Sequence, residues 1–255
     1  MTQPPPGTSA PAAEVLLHAD GDAVAEALAA RLLARLAELQ RDGRVPQLCL
    51  TGGRIASQAY GRLAQQGRSS AVDWSRVDLW WGDERFVAGD DDDRNAKQAL
   101  GLLRDPLGLA DERVHVMPAA DGDADLDGAA RAYARELGDT TFDVCLLGLG
   151  PDGHVASLFP GHPSSNAEGR VIAVRDSPKP PPDRISLTLE VLNASAEVWF
   201  VVSGADKADA AARALQGTGP DPVPGARAHG RERTIWLLDR SAAVGLPADL
   251  VPGGS

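Results

Sequence analysis

The chain contains little cysteine, which excludes one class of small secreted protein. Its 255 residues include only two cysteines, Cys49 and Cys145, too few for a disulfide-stapled scaffold. Both lie inside short apolar runs with the character of strands, where a free cysteine behaves as a small hydrophobic residue. We therefore expect two reduced cysteines buried in the core.

Long hydrophobic runs and a basic leader are also missing. No stretch approaches the roughly 18 consecutive apolar residues of a membrane-spanning helix. The first residues, MTQPPPGTSAPAAE, have neither the basic region nor the apolar region of a signal peptide. We accordingly expect a cytoplasmic protein that does not act on membranes.

Positive charge is scarce as well. The chain has 36 acidic residues against 25 lysines and arginines, a formal net charge of −11, which argues against nucleic acids and anionic membranes as partners. A site for an anionic ligand must then be a local basic cluster. No set of potential ligands has the spacing of a zinc site, and the acidic run Asp90–Asp93 lacks the geometry of a calcium loop. The sequence predicts no metal and no organic cofactor, and a solvated loop at the acidic run.

Short apolar segments alternate with segments of helical periodicity, which predicts an α/β protein with a mainly parallel sheet covered by helices. We expect one domain over residues 14–245, with two domains as the alternative. The proline-rich residues 1–13 predict a disordered tail, and residues 246–255 a C-terminal tail. The predicted strands include Glu14–His18, Gln47–Leu50, Val77–Trp81, Val114–Met117, Val144–Leu149, Val171–Val174, Arg184–Leu189, Val198–Val202 and Thr234–Leu238.

The stretch Phe142–Pro163, FDVCLLGLGPDGHVASLFPGHP, combines a buried strand, a glycine-rich turn and a histidine. Glycines allow a ligand to approach the backbone closely, and ligands of open α/β sheets bind beyond the carboxyl ends of the strands. Of the five histidines, His154 is therefore the best candidate for acid or base chemistry near neutral pH. A surface or hydrogen-bonded loop histidine is the alternative.

Four further strand ends carry candidates for binding an anion. Thr51-Gly52-Gly53-Arg54 leads into a helix, whose N-terminus offers free N–H groups and a positive dipole. Arg85 and Lys207 suit bidentate and point-charge recognition of phosphate, and Arg184 opens a strand. For Thr51–Arg54 the alternative is a plain turn, and for Arg85 it is a salt bridge to Asp83 or Glu84. For Arg184 and Lys207 the alternative is a solvated surface charge. Alternation in Arg184–Leu189 predicts a strand with one solvated face.

Three of these segments resemble a known family. Gly148–Pro160, GLGPDGHVASLFP, is similar to the signature of the 6-phosphogluconolactonases within the wider group of glucosamine-6-phosphate isomerases, and Trp81–Arg85 and Arg184–Thr188 match further motifs. Deaminases of the group share GLGxDGH but continue differently, so the ending SLFP favours the lactonase branch. The resemblance spans residues 13–243. It departs at Arg54, where the family has serine, and at Arg94, which precedes the matching Asn95.

The resemblance implies a modified Rossmann-like three-layer fold with a mainly parallel central sheet and a smaller antiparallel portion. It implies hydrolysis of a sugar-phosphate lactone, 6-phospho-D-glucono-1,5-lactone, to 6-phospho-D-gluconate in the oxidative pentose phosphate pathway, and we expect a monomer. His154 would act as general base with Asp152 orienting it, and the N–H groups of the glycine turn would stabilise the oxyanion. Contacts to substrate or phosphate would come from Thr51, Gly52, Gly53, Arg54, Asp83, Arg85, Asn95, Gly150, Gly153, Arg184 and Lys207.

Two other functions stay open. One is a deaminase-like sugar-phosphate isomerase, which the residues after His154 disfavour. The other is a non-catalytic sugar-phosphate sensor of the kind attached to DNA-binding domains. The acidic balance and the lack of a basic helix-turn-helix segment count against the sensor.

Overall fold

The computed structural model describes residues 11–217, 222–247 and 250. Most of the predicted N-terminal tail (residues 1–10) and, in the predicted C-terminal tail, residues 248, 249 and 251–255 lie outside the described residues. In chain order the elements are β1 (Ala13–His18), α1 (Gly21–Arg41), β2 (Gln47–Leu50), α2 (Arg54–Gly67), β3 (Asp78–Trp81), β4 (Asp83–Arg85), α3 (Asn95–Leu107), α4 (Leu126–Leu137), β5 (Val144–Leu147), β6 (Val171–Val174), β7 (Arg184–Leu187), α5 (Leu189–Asn193), β8 (Glu197–Val202), α6 (Ala208–Gln216), α7 (Pro224–Arg227) and β9 (Arg233–Asp239).

Two sheets organise these elements. Six strands form a parallel sheet in the order β1-β9-β8-β5-β2-β3, and β4-β7-β6 form an antiparallel sheet. Every residue of β5 and β8 is buried, as expected for strands of a parallel sheet with both faces covered. The predicted α/β fold with a small antiparallel portion is confirmed.

The central sheet has an apolar core on each face. Successive residues of β2 point to opposite faces, so that Leu48 and Leu50 join a core with Leu32 of α1, while Cys49 joins the other core with Tyr133 of α4. This arrangement gives three layers, helices, sheet and helices. Among the described residues, no helix is long and apolar enough to cross a membrane.

The order of the strands places a crevice between β2 and β5. From β2 the chain moves outward to β3, whereas from β5 it moves the other way through β8 to β9. The loops that follow β2 and β5 therefore diverge, which opens a crevice at the carboxyl ends of the strands. The register pairs Cys49 with Cys145 directly below this point, and both are free and buried as predicted.

Two local predictions were wrong. Residues 114–117 form no strand, because only Val114 bridges Leu79 and the segment then leaves the sheet edge. The strand beginning at Arg184 ends at Leu187 and has no solvated face, since all four residues are buried. Its polar Ser186 is covered, and its hydroxyl accepts a hydrogen bond from the backbone N–H of Ser157 at 3.2 Å.

Candidate functional site

A cleft of about 530 Å³ opens at the crevice between β2 and β5, within the usual range for small-molecule sites. Its wall includes the loops after β2, β5 and β8, the first residues of α2 and α3, the strands β4 and β7, and the loop before β7. The sequence-predicted residues that line it are Thr51, Gly52, Gly53, Arg54, Asp83, Arg85, Asn95, Gly150, His154, Arg184 and Lys207.

His154 is held in the cleft by its neighbours in the glycine turn. Its Nδ1 lies 2.6 Å from Oδ1 of Asp152, and its ring packs 4.7 Å from the ring of the buried Phe159. Gly150 makes the room for the imidazole, because a Cβ at that position would lie 1.9 Å from Nδ1. The turn and the histidine therefore fit one another and require glycine at position 150.

Asp152 is ionised in this setting. Partial burial opposes ionisation, but the hydrogen bond with His154 and the charge of Lys179 hold the pKa of Asp152 far below its ordinary value. An ionised carboxylate can only accept hydrogen bonds, so Nδ1 of His154 must be the donor. The other ring nitrogen, Nε2, then carries the lone pair and is free to accept a proton. Asp152 supports the imidazole and does not itself line the cleft.

The amides of the glycine turn are already used within the protein. The N–H of Gly150 donates to the carbonyl oxygen of His154, and that of Gly153 donates to Gly150, each at 2.9 Å. The N–H of Gly148 donates to the hydroxyl of Thr51 at 3.3 Å. These three glycine amides therefore hold the turn and the neighbouring loop together, and oxyanion stabilisation by the N–H groups of the turn stays a prediction.

The loop after β2 leads into the N-terminus of α2, as the sequence predicted. Gly53 has a φ of +104°, which favours glycine. The hydroxyl of the buried Tyr60 donates to the carbonyl oxygen of Thr51 at 2.7 Å and accepts from its N–H at 3.1 Å. Arg54, the first residue of α2, is exposed at the rim of the cleft. The loop is thus fixed at Thr51, next to Gly52, Gly53 and Arg54, which line the cleft.

The charged residues of β4 have separate partners. Asp83, 6% exposed, accepts a hydrogen bond from the hydroxyl of Ser157 at 2.6 Å. The carboxylate of Glu84 accepts three backbone N–H groups at 2.8 Å each, two of them from Asn95 and Ala96, and so caps the N-terminus of α3. Burial raises the pKa of Glu84, against the effects of Arg94 and these amides.

Arg85 faces the cleft without a carboxylate partner. In the part of the chain that the structure describes, it forms no salt bridge with Asp83 or Glu84, and its Nε is buried without a hydrogen-bond partner. One of its terminal nitrogens donates to the carbonyl oxygen of Asp93. The guanidinium therefore borders the cleft without a carboxylate at salt-bridge distance among the described residues.

Asn95 joins two walls of the cleft. Its side-chain N–H₂ donates to the carbonyl oxygen of Asp83 at 2.9 Å. Its Oδ1 lies against Gly52, where a Cβ would come within 2.0 Å of it. This oxygen is buried and has no hydrogen-bond partner among the described residues.

Lys207 follows a turn that is anchored from β9. The carboxylate of Asp239 accepts the hydroxyl of Ser203 at 2.7 Å and the N–H of Gly204 at 3.2 Å. Burial opposes the ionisation of Asp239. The hydrogen bonds from Ser203 and Gly204, together with two further hydrogen bonds, nevertheless lower the pKa of Asp239 below its ordinary value. Lys207, three residues after Gly204, is 3.3 Å from the exposed carboxylate of Asp206. Asp239 therefore fixes the turn that brings Lys207 to the cleft.

Arg184 and Gly153 have mainly structural contacts. The guanidinium of Arg184, a residue 4% exposed, donates to the carbonyl oxygens of Lys179, Pro180 and Pro181 at 3.0 to 3.1 Å. It still borders the cleft. Gly153 does not, because it packs against Val223, which a Cβ at position 153 would approach to 2.7 Å.

Sequence reasoning missed Lys179. It lies in a proline-rich connector, and its Nζ is 3.4 Å from Nδ1 of His154 and 3.6 Å from Oδ1 of Asp152. The signal that could have found it is a single charge among prolines. Ala156, also missed, lines the cleft with a φ of +47°, for which the sequence carries no sign.

The cleft has the opposite charge to the protein as a whole. Among its lining residues are five basic side chains, those of Arg54, Arg85, Lys179, Arg184 and Lys207, and one carboxylate, that of Asp83, although the chain has a formal net charge of −11. Such a cleft attracts anionic ligands. In the described residues, no group of three or more His, Cys, Asp or Glu side chains is placed to hold a metal.

Comparisons with known proteins point to one family. Residues 19–236 match the family model described as glucosamine-6-phosphate isomerases/6-phosphogluconolactonase. The chain is 47% identical to the 6-phosphogluconolactonase of Streptomyces coelicolor, over 95% of this chain and 98% of that protein. It is 45% identical to the protein of the same name from Mycobacterium tuberculosis, over 93% and 97% of the two chains. The crystal structure of 6-phosphogluconolactonase from Thermotoga maritima matches with a TM-score of 0.80 at 27% identity, over 89% of this chain and 100% of that one.

Proposed function

The chain belongs to the family of glucosamine-6-phosphate isomerases and 6-phosphogluconolactonases, and from this premise we propose that it hydrolyses 6-phospho-D-glucono-1,5-lactone to 6-phospho-D-gluconate. The observation that carries the proposal is the pairing of His154 with Asp152 at 2.6 Å in a basic cleft of an acidic protein. A reaction that consumes a phosphorylated lactone in the oxidative pentose phosphate pathway needs both features, a base and an anion site.

The phosphate of the substrate binds to the basic side of the cleft. Arg85 and Lys207 provide its charged contacts, and the loop Thr51-Gly52-Gly53 provides backbone N–H groups at the positive end of α2. Arg54 supplies a guanidinium where related proteins use a hydroxyl, and it can bind phosphate in a bidentate manner. Asp83, Asn95 and the backbone at Gly150 face the sugar hydroxyls. Arg184 and Gly153 support these contacts from behind.

His154 performs the proton transfers. Its Nε2 takes a proton from water as the water oxygen attacks the lactone carbonyl carbon, and the carbonyl π electrons move onto oxygen. When these electrons return, the bond between the carbonyl carbon and the ring oxygen breaks. The imidazolium then gives its proton to that oxygen. Asp152 keeps the imidazole in the required tautomer and stabilises its charged form, and no covalent enzyme intermediate is involved.

A direct test is to mix the purified protein with three ligands. We expect acid release from the phosphorylated lactone above the spontaneous rate, no ammonia from glucosamine 6-phosphate, and no binding of duplex DNA. Ammonia release would instead assign the isomerase class, and DNA binding the sensor class.

A cytoplasmic location and a monomeric state belong to the same proposal. Cell fractionation and sedimentation test them.

A further inference from the structure

The proposed reaction leaves one charge without a defined partner. Attack of water on the lactone places negative charge on the carbonyl oxygen, and oriented donors at that point are usually a large contribution to catalysis. The glycine amides that would be the first candidates are bonded to His154, Gly150 and Thr51. Because these three amides are engaged, a side chain of the cleft wall is the next candidate for the donor.

Lys179 is the cation nearest to the general base. Its ammonium lies 3.4 Å from Nδ1 of His154 and 3.6 Å from Oδ1 of Asp152, and it lines the same cleft. Its side chain is 41% exposed, so it keeps the freedom to turn toward a ligand. The other basic residues of the cleft have no comparable contact with the imidazole among the described residues.

The loop that carries Lys179 is fixed by its backbone. Ser177 donates its hydroxyl to the carbonyl oxygen of Lys179 at 2.9 Å, and the buried guanidinium of Arg184 binds the carbonyl oxygens of residues 179–181. That guanidinium also lies 5.7 Å above the ring of Phe159, which packs on His154. The backbone of the loop and the imidazole are thus held by one set of contacts, and only the lysine stem is free.

The charges around Lys179 change during the reaction. In the resting state the ammonium and the imidazole share the carboxylate of Asp152. Once His154 has taken a proton, two positive groups lie about 3.4 Å apart, and they repel each other. The new oxyanion offers the ammonium a negative partner at the same moment, so a turn toward the substrate relieves the repulsion.

We propose that Lys179 is a catalytic residue that stabilises the oxyanion formed from the lactone carbonyl. It moves from Asp152 to this oxygen as the imidazole becomes charged, and it returns when the ring oxygen leaves. It transfers no proton. Partial burial lowers the pKa of Lys179, as do Lys207 and Arg184, while Asp152 acts in the opposite direction. The inference rests on the proposed lactonase activity.

The chain offers a matched set of variants, because it contains only three lysines, Lys97, Lys179 and Lys207. Lys179→Met should lower kcat about a hundredfold, the smaller end of the range for losing one oxyanion donor. The loss should be equal for phosphorylated and unphosphorylated lactones, with KM little changed. Lys207→Met should instead raise KM for the phosphorylated lactone alone. Lys97→Met should match wild type, since Lys97 pairs with the exposed Asp92 outside the cleft.

Chemical rescue separates charge from structure. Lys179→Cys should lose turnover in the same way, and alkylation of the new thiol with 2-bromoethylamine restores an ammonium of nearly the same length. Cys49 and Cys145 are fully buried, and burial raises the pKa of Cys49, so the native thiols should not react. We expect alkylation to recover most of the lost kcat.

Each alternative result decides against the inference in a distinct way. If Lys179→Met leaves the limiting kcat intact and only shifts the acidic limb of the pH profile, Lys179 tunes His154 and does not touch substrate. An effect confined to KM for phosphorylated lactone would make it a phosphate ligand. Failure of alkylation to restore turnover would assign it a structural role. If wild type hydrolyses the lactone and Lys179→Met is equally active, the role of Lys179 is refuted and the proposed lactonase function stands. If wild type is inactive, both the proposed function and the role of Lys179 are refuted.

Discussion

Replacing Gly150 by alanine tests the geometry of the site at its tightest point. The added methyl would lie 1.9 Å from Nδ1 of His154 and 2.4 Å from Oδ1 of Asp152. Carbon atoms and their neighbours pack at about 3.5 Å or more, so the imidazole must move by roughly 1.5 Å. A displacement of about 1 Å costs on the order of 10² in rate. We therefore expect kcat to fall at least about a hundredfold.

The assay is lactone hydrolysis, corrected for the spontaneous reaction, together with circular dichroism to confirm folding. The backbone at Gly150 is not left-handed, and the three atoms nearest to the added methyl all belong to the side chains of His154 and Asp152. Gly61→Ala is the control, because its Cβ would meet nothing within 4 Å. Activity should be unchanged there, and alanine in α2 should stabilise the protein by up to about 1 kcal/mol.

A double-mutant cycle makes this prediction sharper. If the loss in Gly150→Ala comes from displacing the imidazole, the same change should cost little in a His154→Ala background, where the imidazole is absent. Equal losses in both backgrounds would mean that the methyl acts elsewhere. Normal turnover by Gly150→Ala would refute the placement of His154 against the turn.

Three further predictions concern other parts of the cleft. Arg85→Ala should raise KM for the phosphorylated lactone far more than for its unphosphorylated analogue, because the guanidinium has no carboxylate partner in the described residues; equal effects on both substrates would remove phosphate recognition from Arg85. Asp239→Asn should lower the free energy of unfolding by about 1 to 3 kcal/mol at pH 7. The pKa of Asp239 is lowered on folding, so the difference in unfolding free energy between wild type and Asp239→Asn, measured by urea denaturation, should persist above about pH 4. It should vanish as the pH falls through the folded pKa. A difference that grows in acid would contradict this assignment. Activity should survive chelation, since in the proposed mechanism the base is His154 and no metal takes part; a loss in chelator that one divalent ion reverses would overturn this prediction.

The sequence predicted the parts of the fold that depend on local pattern. Gln47–Leu50 and Val171–Val174 match the observed β2 and β6 residue for residue, because short apolar runs determine such elements locally. The strand ends that carry Thr51, Arg85, His154 and Lys207 could be placed together because carboxyl ends of parallel strands share one edge of a sheet.

What the sequence could not predict depends on contacts between distant segments. The burial of Ser186 requires Ser157, 29 residues earlier, to cover β7. The position of Lys179 beside His154 depends on the hydrogen bond from Arg184 to the carbonyl oxygen of Lys179. No local sequence pattern predicts that contact. The engagement of the glycine amides is likewise a property of the folded turn.

In the proposed mechanism His154, held by Asp152, is the base that activates water. The most direct test of this role is single-turnover hydrolysis of 6-phospho-D-glucono-1,5-lactone by His154→Ala, with binding of 6-phosphogluconate measured in parallel. We expect the rate to fall by about two to four orders of magnitude while affinity for the product stays near that of wild type. Turnover near the wild-type rate would contradict it and move the search for the base to Asp83.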